Sequence, residues 1–167
     1  MGEFDDSALR SLAERVGHFL LSQQRRVATA ESCTGGWLAK CLTDIPGSSQ
    51  WFERGYVTYS NAAKEQSIQV SVGDLETFGA VSRTVVEQMA MGALEVSGAD
   101  FAMAITGIAG PDGGSAEKPV GLVWLSLADR RQPSPIVQRQ QFSGDREAIR
   151  RASVAAALRM LIGTAQS

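Results

Sequence analysis

The five consecutive apolar residues Phe101-Ala-Met-Ala-Ile105 constrain this chain's fold more than any other feature. A buried helix needs about ten or more residues, and a half-exposed strand would alternate, so the run reads as a strand covered on both faces. Val27-Ala-Thr-Ala30, bounded by charge, is a second run of this kind. Such strands demand helices on both sides, and the intervening segments supply them. Residues 6–22 set Leu9, Leu12, Ala13, Val16, Phe19 and Leu20 at helical spacing, and Trp37 to Leu42 resume that spacing until Ile45-Pro46-Gly47 stops them. Ser82 caps a helix through Val96 whose Val85, Val86, Met89, Ala90, Ala93 and Leu94 face inward. Asp145 caps a last helix, to about Ile162, that buries Ile149, Ala152, Ala156 and Leu158.

Trp51–Thr58, Val120–Leu127 and Ile136–Phe142 complete the strands, the last alternating and polar as suits a sheet edge. Between them Asn61 is expected to cap a short helix with Lys64 in its first turn, and residues 74–78 to form another. Strands alternating with helices predict an α/β fold, a three-layer α/β/α sandwich in one domain, residues 1–167. The two late strands are joined too closely for a helical crossover, so the sheet is expected to be mixed and mostly parallel.

Composition narrows the function. Sixteen basic against 18 acidic residues, a net charge of −2 and no basic block argue against nucleic-acid binding, which relies on clustered positive charge. No stretch approaches the roughly 20 apolar residues of a membrane span, and the acidic start is unlike a signal peptide, so a cytoplasmic location is expected. Cys33 and Cys41 match no common zinc spacing and read as reduced thiols. The single histidine, His18, falls on the solvated side of the first helix. A histidine-rich metal site is therefore excluded, and with it the usual base of a serine hydrolase.

Polar residues crowd three loops that each follow a strand: 31–36, 59–64 and 106–114. Ligands gather at such loops in open α/β sheets. Ser32 precedes a Gly-Gly pair that opens a helix, which suits a nucleophile beside backbone N–H groups; alternatively, Ser32 or Thr34 only caps that helix. With histidine nearly absent, a catalytic Ser32 needs another base, and Lys64 on the second loop is the leading one. Its amine would have to fall from ~10.4 towards roughly 7 to 8, through desolvation and the positive helix end, or else it is an ordinary solvated lysine. Ser115-Ala-Glu-Lys118 has the Ser-x-x-Lys spacing that works on a helix, but it lies between Gly113-Gly114 and Pro119 and reads as coincidence. Cys33, lacking a histidine partner, reads as a small buried hydrophobe rather than a thiol nucleophile. Loop 106–114 lacks a Gly-Lys-Thr ending, so it is no triphosphate P-loop; its glycines and Arg146 suit a single phosphate, or else turn geometry and a solvated helix end.

Five stretches in order, Thr29-Ala-Glu-Ser-Cys-Thr-Gly-Gly36, Tyr59-Ser-Asn-Ala-Ala-Lys64, Gly79-Ala-Val-Ser82, Thr106-Gly-Ile-Ala-Gly-Pro-Asp-Gly-Gly114 and Lys118-Pro-Val-Gly121, span nearly the whole chain. Together they resemble the carboxy-terminal domain of the CinA, or competence/damage-inducible, proteins, a family that includes stand-alone nicotinamide mononucleotide deamidases. The resemblance implies hydrolysis of the mononucleotide's carboxamide to nicotinic acid mononucleotide and ammonia, without metal or cofactor, by a homo-oligomer, a dimer being favoured. It implies Ser32 as nucleophile and Lys64 as base, with Tyr59 grouped with them. Thr34, Gly35, Gly36, Asn61, Thr106, Gly107, Gly110, Gly113, Gly114 and Arg146 are its expected substrate-binding residues, Arg146 on the phosphate side and the amides near Thr34 and Gly35 facing an oxyanion. The pyrophosphatase domain of larger members has no counterpart in these residues, so the deamidase half alone is expected. The competing expectation is a regulatory module that holds a nucleotide without hydrolysing it; a DNA-associated role conflicts with the acidic balance.

Overall fold

The computed structural model describes residues 4–164. Their elements, in chain order, are α1 (Asp6–Gln23), β1 (Val27–Glu31), α2 (Trp37–Thr43), β2 (Phe52–Val57), α3 (Asn61–Ile68), α4 (Val72–Phe78), α5 (Arg83–Ser97), β3 (Phe101–Gly107), β4 (Leu122–Asp129), β5 (Ile136–Gln141) and α6 (Arg146–Thr164). The strands form one sheet in the order β2-β1-β3-β4-β5. β1 is parallel to both neighbours, whereas β4 runs antiparallel to β3 and β5. The sheet is thus mixed, with only β4 reversed: the short link 130–135 to β5 leaves no room for a helix, and the longer connection 108–121 from β3 forms none. Polar β5 lies at one edge, as its alternation predicts.

The two faces are packed differently. Because strand side chains alternate, Phe101, Met103 and Ile105 of β3 face α1, α2 and α6, while Ala102 and Ala104 face α5. The first layer is filled by bulky groups, among them Leu9, Leu20, Leu38 and Leu158, each worth about 1.5–3 kcal/mol on burial. On the second, Ala28, Ala30 and Ala128 let the helical layer come close. Gly92 in α5 carries that closeness further: a Cβ there would lie 1.8 Å from the Ile68 carbonyl oxygen at the end of α3. In the first layer Gly17 of α1 seats the indole of Trp51, which is 1% exposed.

Four local expectations are corrected. Ser60, not Asn61, caps α3: its hydroxyl accepts the Ala63 N–H at 3.1 Å, and Asn61 becomes the first helical residue, exposed. α4 starts at Val72 on the Ser71 cap, two residues before the expected start, and β4 runs 122–129 rather than 120–127. In α6 the buried stripe runs through Ser153, Val154, Ala155 and Ala157, with Ala152 and Ala156 only half-buried. At the edge of the sheet away from the polar loops, Arg25 stacks on the Phe101 ring, 3.7 Å from its centroid, and pairs with Asp129. This clamp ties the starts of β1 and β3 to the end of β4.

Candidate active site

The parallel strands β1, β2 and β3 end on one edge of the sheet, and each passes directly into one polar loop. Ser32 follows β1, and its N–H donates to the Ile105 carbonyl at 2.9 Å, which fixes the residue to β3. Thr58 follows β2, and its N–H donates to the Glu31 carbonyl at 2.8 Å. The Ser60 cap then starts α3 so that Lys64, one turn in, points back towards β1. The Lys64 Nζ lies 3.0 Å from Ser32 Oγ and donates to the Thr58 carbonyl at 2.8 Å.

Lys64 is 1% exposed and, among the described residues, forms no salt bridge. Burial without a counter-charge penalises the ammonium and pushes its pKa below the ordinary 10.5. The solvated-lysine alternative is therefore not what the fold builds, and neither is the capping alternative for Ser32. Position 36, a glycine with φ +95°, precedes α2 with no side-chain cap.

A pocket of about 280 Å³ opens over this pair. Tyr59, Thr106, Gly107, Gly110, Gly113 and Arg146 border it together with Ser32 and Lys64. Arg146 crosses the mouth, donating to the Gly110 carbonyl at 2.6 Å and to the Tyr59 hydroxyl at 3.0 Å. The Thr106 hydroxyl donates to the Ala80 carbonyl at 2.9 Å, which draws the Gly79–Ser82 stretch against the pocket as a wall formed by Ala80 and Val81. Asp112 also borders the pocket and had no assigned role in the sequence.

Five expected substrate-binding residues lie elsewhere. Thr34 is fully buried, and its hydroxyl donates to Glu31 at 2.6 Å. Gly35 and Gly36, at φ +59° and +95°, turn the chain into α2 and border a different cavity beside Trp37 and Arg150. The Gly35 N–H is spent on the Ser32 carbonyl at 3.1 Å, so it does not face an oxyanion. Asn61 is exposed outside the pocket, and a Cβ on Gly114 would meet Val120 N at 2.8 Å, so that glycine serves close packing of its loop.

Sequence reasoning passed over Glu31. It ends β1 and is 1% exposed, and its carboxylate accepts from the Thr34 hydroxyl and from the Leu38 and Ala39 N–H groups at 2.6, 3.0 and 2.8 Å. A charged residue between a strand and a serine reads as loop; an acidic residue a few positions before a helix without a side-chain cap was the available signal. The amides at the start of α2 are therefore satisfied internally rather than offered to a ligand.

The Ser115 and Lys118 of the Ser-x-x-Lys match close a tight turn, the Ser115 N–H donating to the Lys118 carbonyl and the Lys118 N–H to the Ser115 hydroxyl, with the Lys118 ammonium on the Phe78 carbonyl at 2.5 Å. Both cysteines are free and buried, and His18 sits on the exposed side of α1. Among the described residues no group of three or more His, Cys, Asp or Glu side chains converges as a metal site, and no helix is long and apolar enough to cross a membrane.

Comparison with known proteins identifies the family and the fold. Residues 9–165 match the model of the CinA C-terminal domain. The nicotinamide-nucleotide amidohydrolase PncC of Escherichia coli K12 is 57% identical over 156 residues, 93% of this chain and 94% of that one. The Pseudomonas putida protein of the same name is 53% identical over 150 residues, covering 90% and 92%. Among solved structures, the competence/damage inducible protein CihA from Agrobacterium tumefaciens superposes with a TM-score of 0.92 at 48% identity, covering 99% of this chain and 100% of that one. From the site motifs to the whole-chain superposition, the chain belongs to the CinA C-terminal domain family.

Proposed function

We propose that this protein is a nicotinamide-nucleotide amidohydrolase, converting nicotinamide mononucleotide and water to nicotinic acid mononucleotide and ammonia through a Ser32–Lys64 dyad. The observation that carries it is a buried amine without a counter-ion, 3.0 Å from a serine hydroxyl at the floor of a pocket. Family membership and the relatives' names supply the substrate class; the geometry supplies a chemistry suited to it.

With one N–H held by the Thr58 carbonyl, neutral Lys64 turns its lone pair to the Ser32 O–H and takes that proton as Oγ attacks the carboxamide carbon. The amides of Ser32 and Gly35 are already engaged, so the developing oxyanion is assigned to the amide of Cys33, a residue that borders the pocket. The ammonium of Lys64 returns its proton to the departing nitrogen, which leaves as ammonia. Water, deprotonated by Lys64, then attacks the acyl ester, and the same proton restores Ser32. Neither step calls for a metal or a cofactor. Arg146 and the loop amides between Gly110 and Gly113 take the phosphate, with Tyr59 beside the ring and sugar.

The decisive assay incubates the purified protein with nicotinamide mononucleotide in chelator-treated buffer and measures ammonia. Release that disappears in Ser32→Ala supports the proposal. Binding without release would instead identify a nucleotide-holding module. Length suggests a single domain and composition a cytoplasmic setting, and family membership suggests a homo-oligomer, a dimer first, whose size light scattering on the purified chain tests.

A further inference from the structure

We infer that Glu31 is a positioning residue for the Ser32–Lys64 dyad, holding both members through two separate sets of contacts. Its backbone carbonyl receives the Thr58 N–H at 2.8 Å, and the Thr58 carbonyl in turn receives Lys64 Nζ at 2.8 Å. Its side chain receives Thr34, Leu38 and Ala39, the turn and helix that follow Ser32. One residue thereby references the base on one side and the nucleophile's loop on the other.

The chemistry of the contacts explains why a carboxylate stands there. Three donors and no acceptor meet its two oxygens, and two of those donors are orphan amides at the positive end of α2. A buried charge of this kind is tolerated only when it is fully hydrogen-bonded, and here it is. An amide of the same shape would turn an NH₂ group towards at least one of those donors. The turn would have to rotate to relieve that clash, and it carries Ser32 at its first position. A displacement on the order of 1 Å between reacting groups costs about a hundredfold in rate.

The inference rests on the deamidase reading for its kinetic assay. Glu31→Gln is expected to lower kcat for nicotinamide mononucleotide by about ten- to a hundredfold with KM within about twofold, because no pocket contact to substrate is removed. Thr34→Val deletes one of the three donors and keeps both helix contacts, so it is expected to lower kcat by about tenfold, the low end for one hydrogen bond to a charged group, again at constant KM. An unchanged kcat in both, or a change confined to the unfolding temperature, overturns the inference. Should the unsubstituted protein release no ammonia, the deamidase reading fails, and crystal structures of the same variants decide the matter. A Ser32 Oγ to Lys64 Nζ separation opened past hydrogen-bond reach upholds the role of Glu31, whereas a retained separation of 3.0 Å rejects it.

Discussion

The turn after β1 borders two cavities, one on each side, and they differ in the way that matters for chemistry. The cavity beside Gly35, Gly36 and Trp37 is the larger, about 620 Å³ against 280 Å³ for the pocket over Ser32. Its cations are all engaged. Arg151 pairs with Asp6 and Glu147, Lys40 with Asp44 and Arg10 with Glu14, while Arg150 donates to the carbonyls of Cys33 and Thr34. In the smaller pocket Lys64 has hydrogen bonds but no opposing charge. Volume favours the first; an unneutralised, buried amine favours the second, as the proposed proton transfer requires.

That contrast breaks most sharply at the dyad. Ser32→Ala is expected to abolish ammonia release, and Lys64→Met to lower kcat by about 10²- to 10⁴-fold, the usual share of a general base, with both variants folded by circular dichroism. Near-native turnover in either would erase the distinction between the two cavities. Arg146→Ala comes next: losing a charge-assisted contact is expected to raise KM by about ten- to a hundredfold while kcat changes less. Steady-state kinetics at saturating and limiting substrate separate the two.

The pH profile sharpens the comparison without substitution. Burial disfavours the ammonium, so the neutral form of Lys64, the one the proposed mechanism uses, appears at lower pH than in a free lysine. Turnover is expected to rise with pH as the proton leaves and to level off below 10.5; a limb still climbing at 10.5 contradicts the burial argument. The smallest effect belongs to the larger cavity, where Lys40→Ala, at an exposed pair, is expected to leave kcat and KM within about twofold.

Layers and strand edges were legible because they depend on local periodicity. Ile105 running straight into Thr106-Gly107 announces a strand and its loop, and polar β5 announces an edge. The place of Lys64 beside Ser32 was legible by elimination, since His18 sits on the exposed face of α1. What could not be read is which side of a turn a residue faces. Two glycines at positive φ carry Gly35 and Gly36 away from Ser32, and that rotation depends on Glu31 satisfying α2 from within. At Ser60-Asn61 both residues are competent caps, and only tertiary placement of α3 selects the serine.

Cys33, next in the chain to the proposed nucleophile, has a consequence for handling the enzyme. Burial in the apolar wall pushes its thiol up to about 12, so almost none is thiolate at neutral pH. Peroxide and alkylating reagents act on thiolate, and the side chain is only 7% exposed. Iodoacetamide at pH 7.5 is therefore expected to leave Cys33 unlabelled by mass spectrometry and turnover intact, so that a reducing buffer is dispensable. Rapid inactivation would instead show a reactive sulfur beside the serine. With Ser32 as the proposed nucleophile, turnover is expected to survive oxidative conditions that silence a thiol-dependent hydrolase.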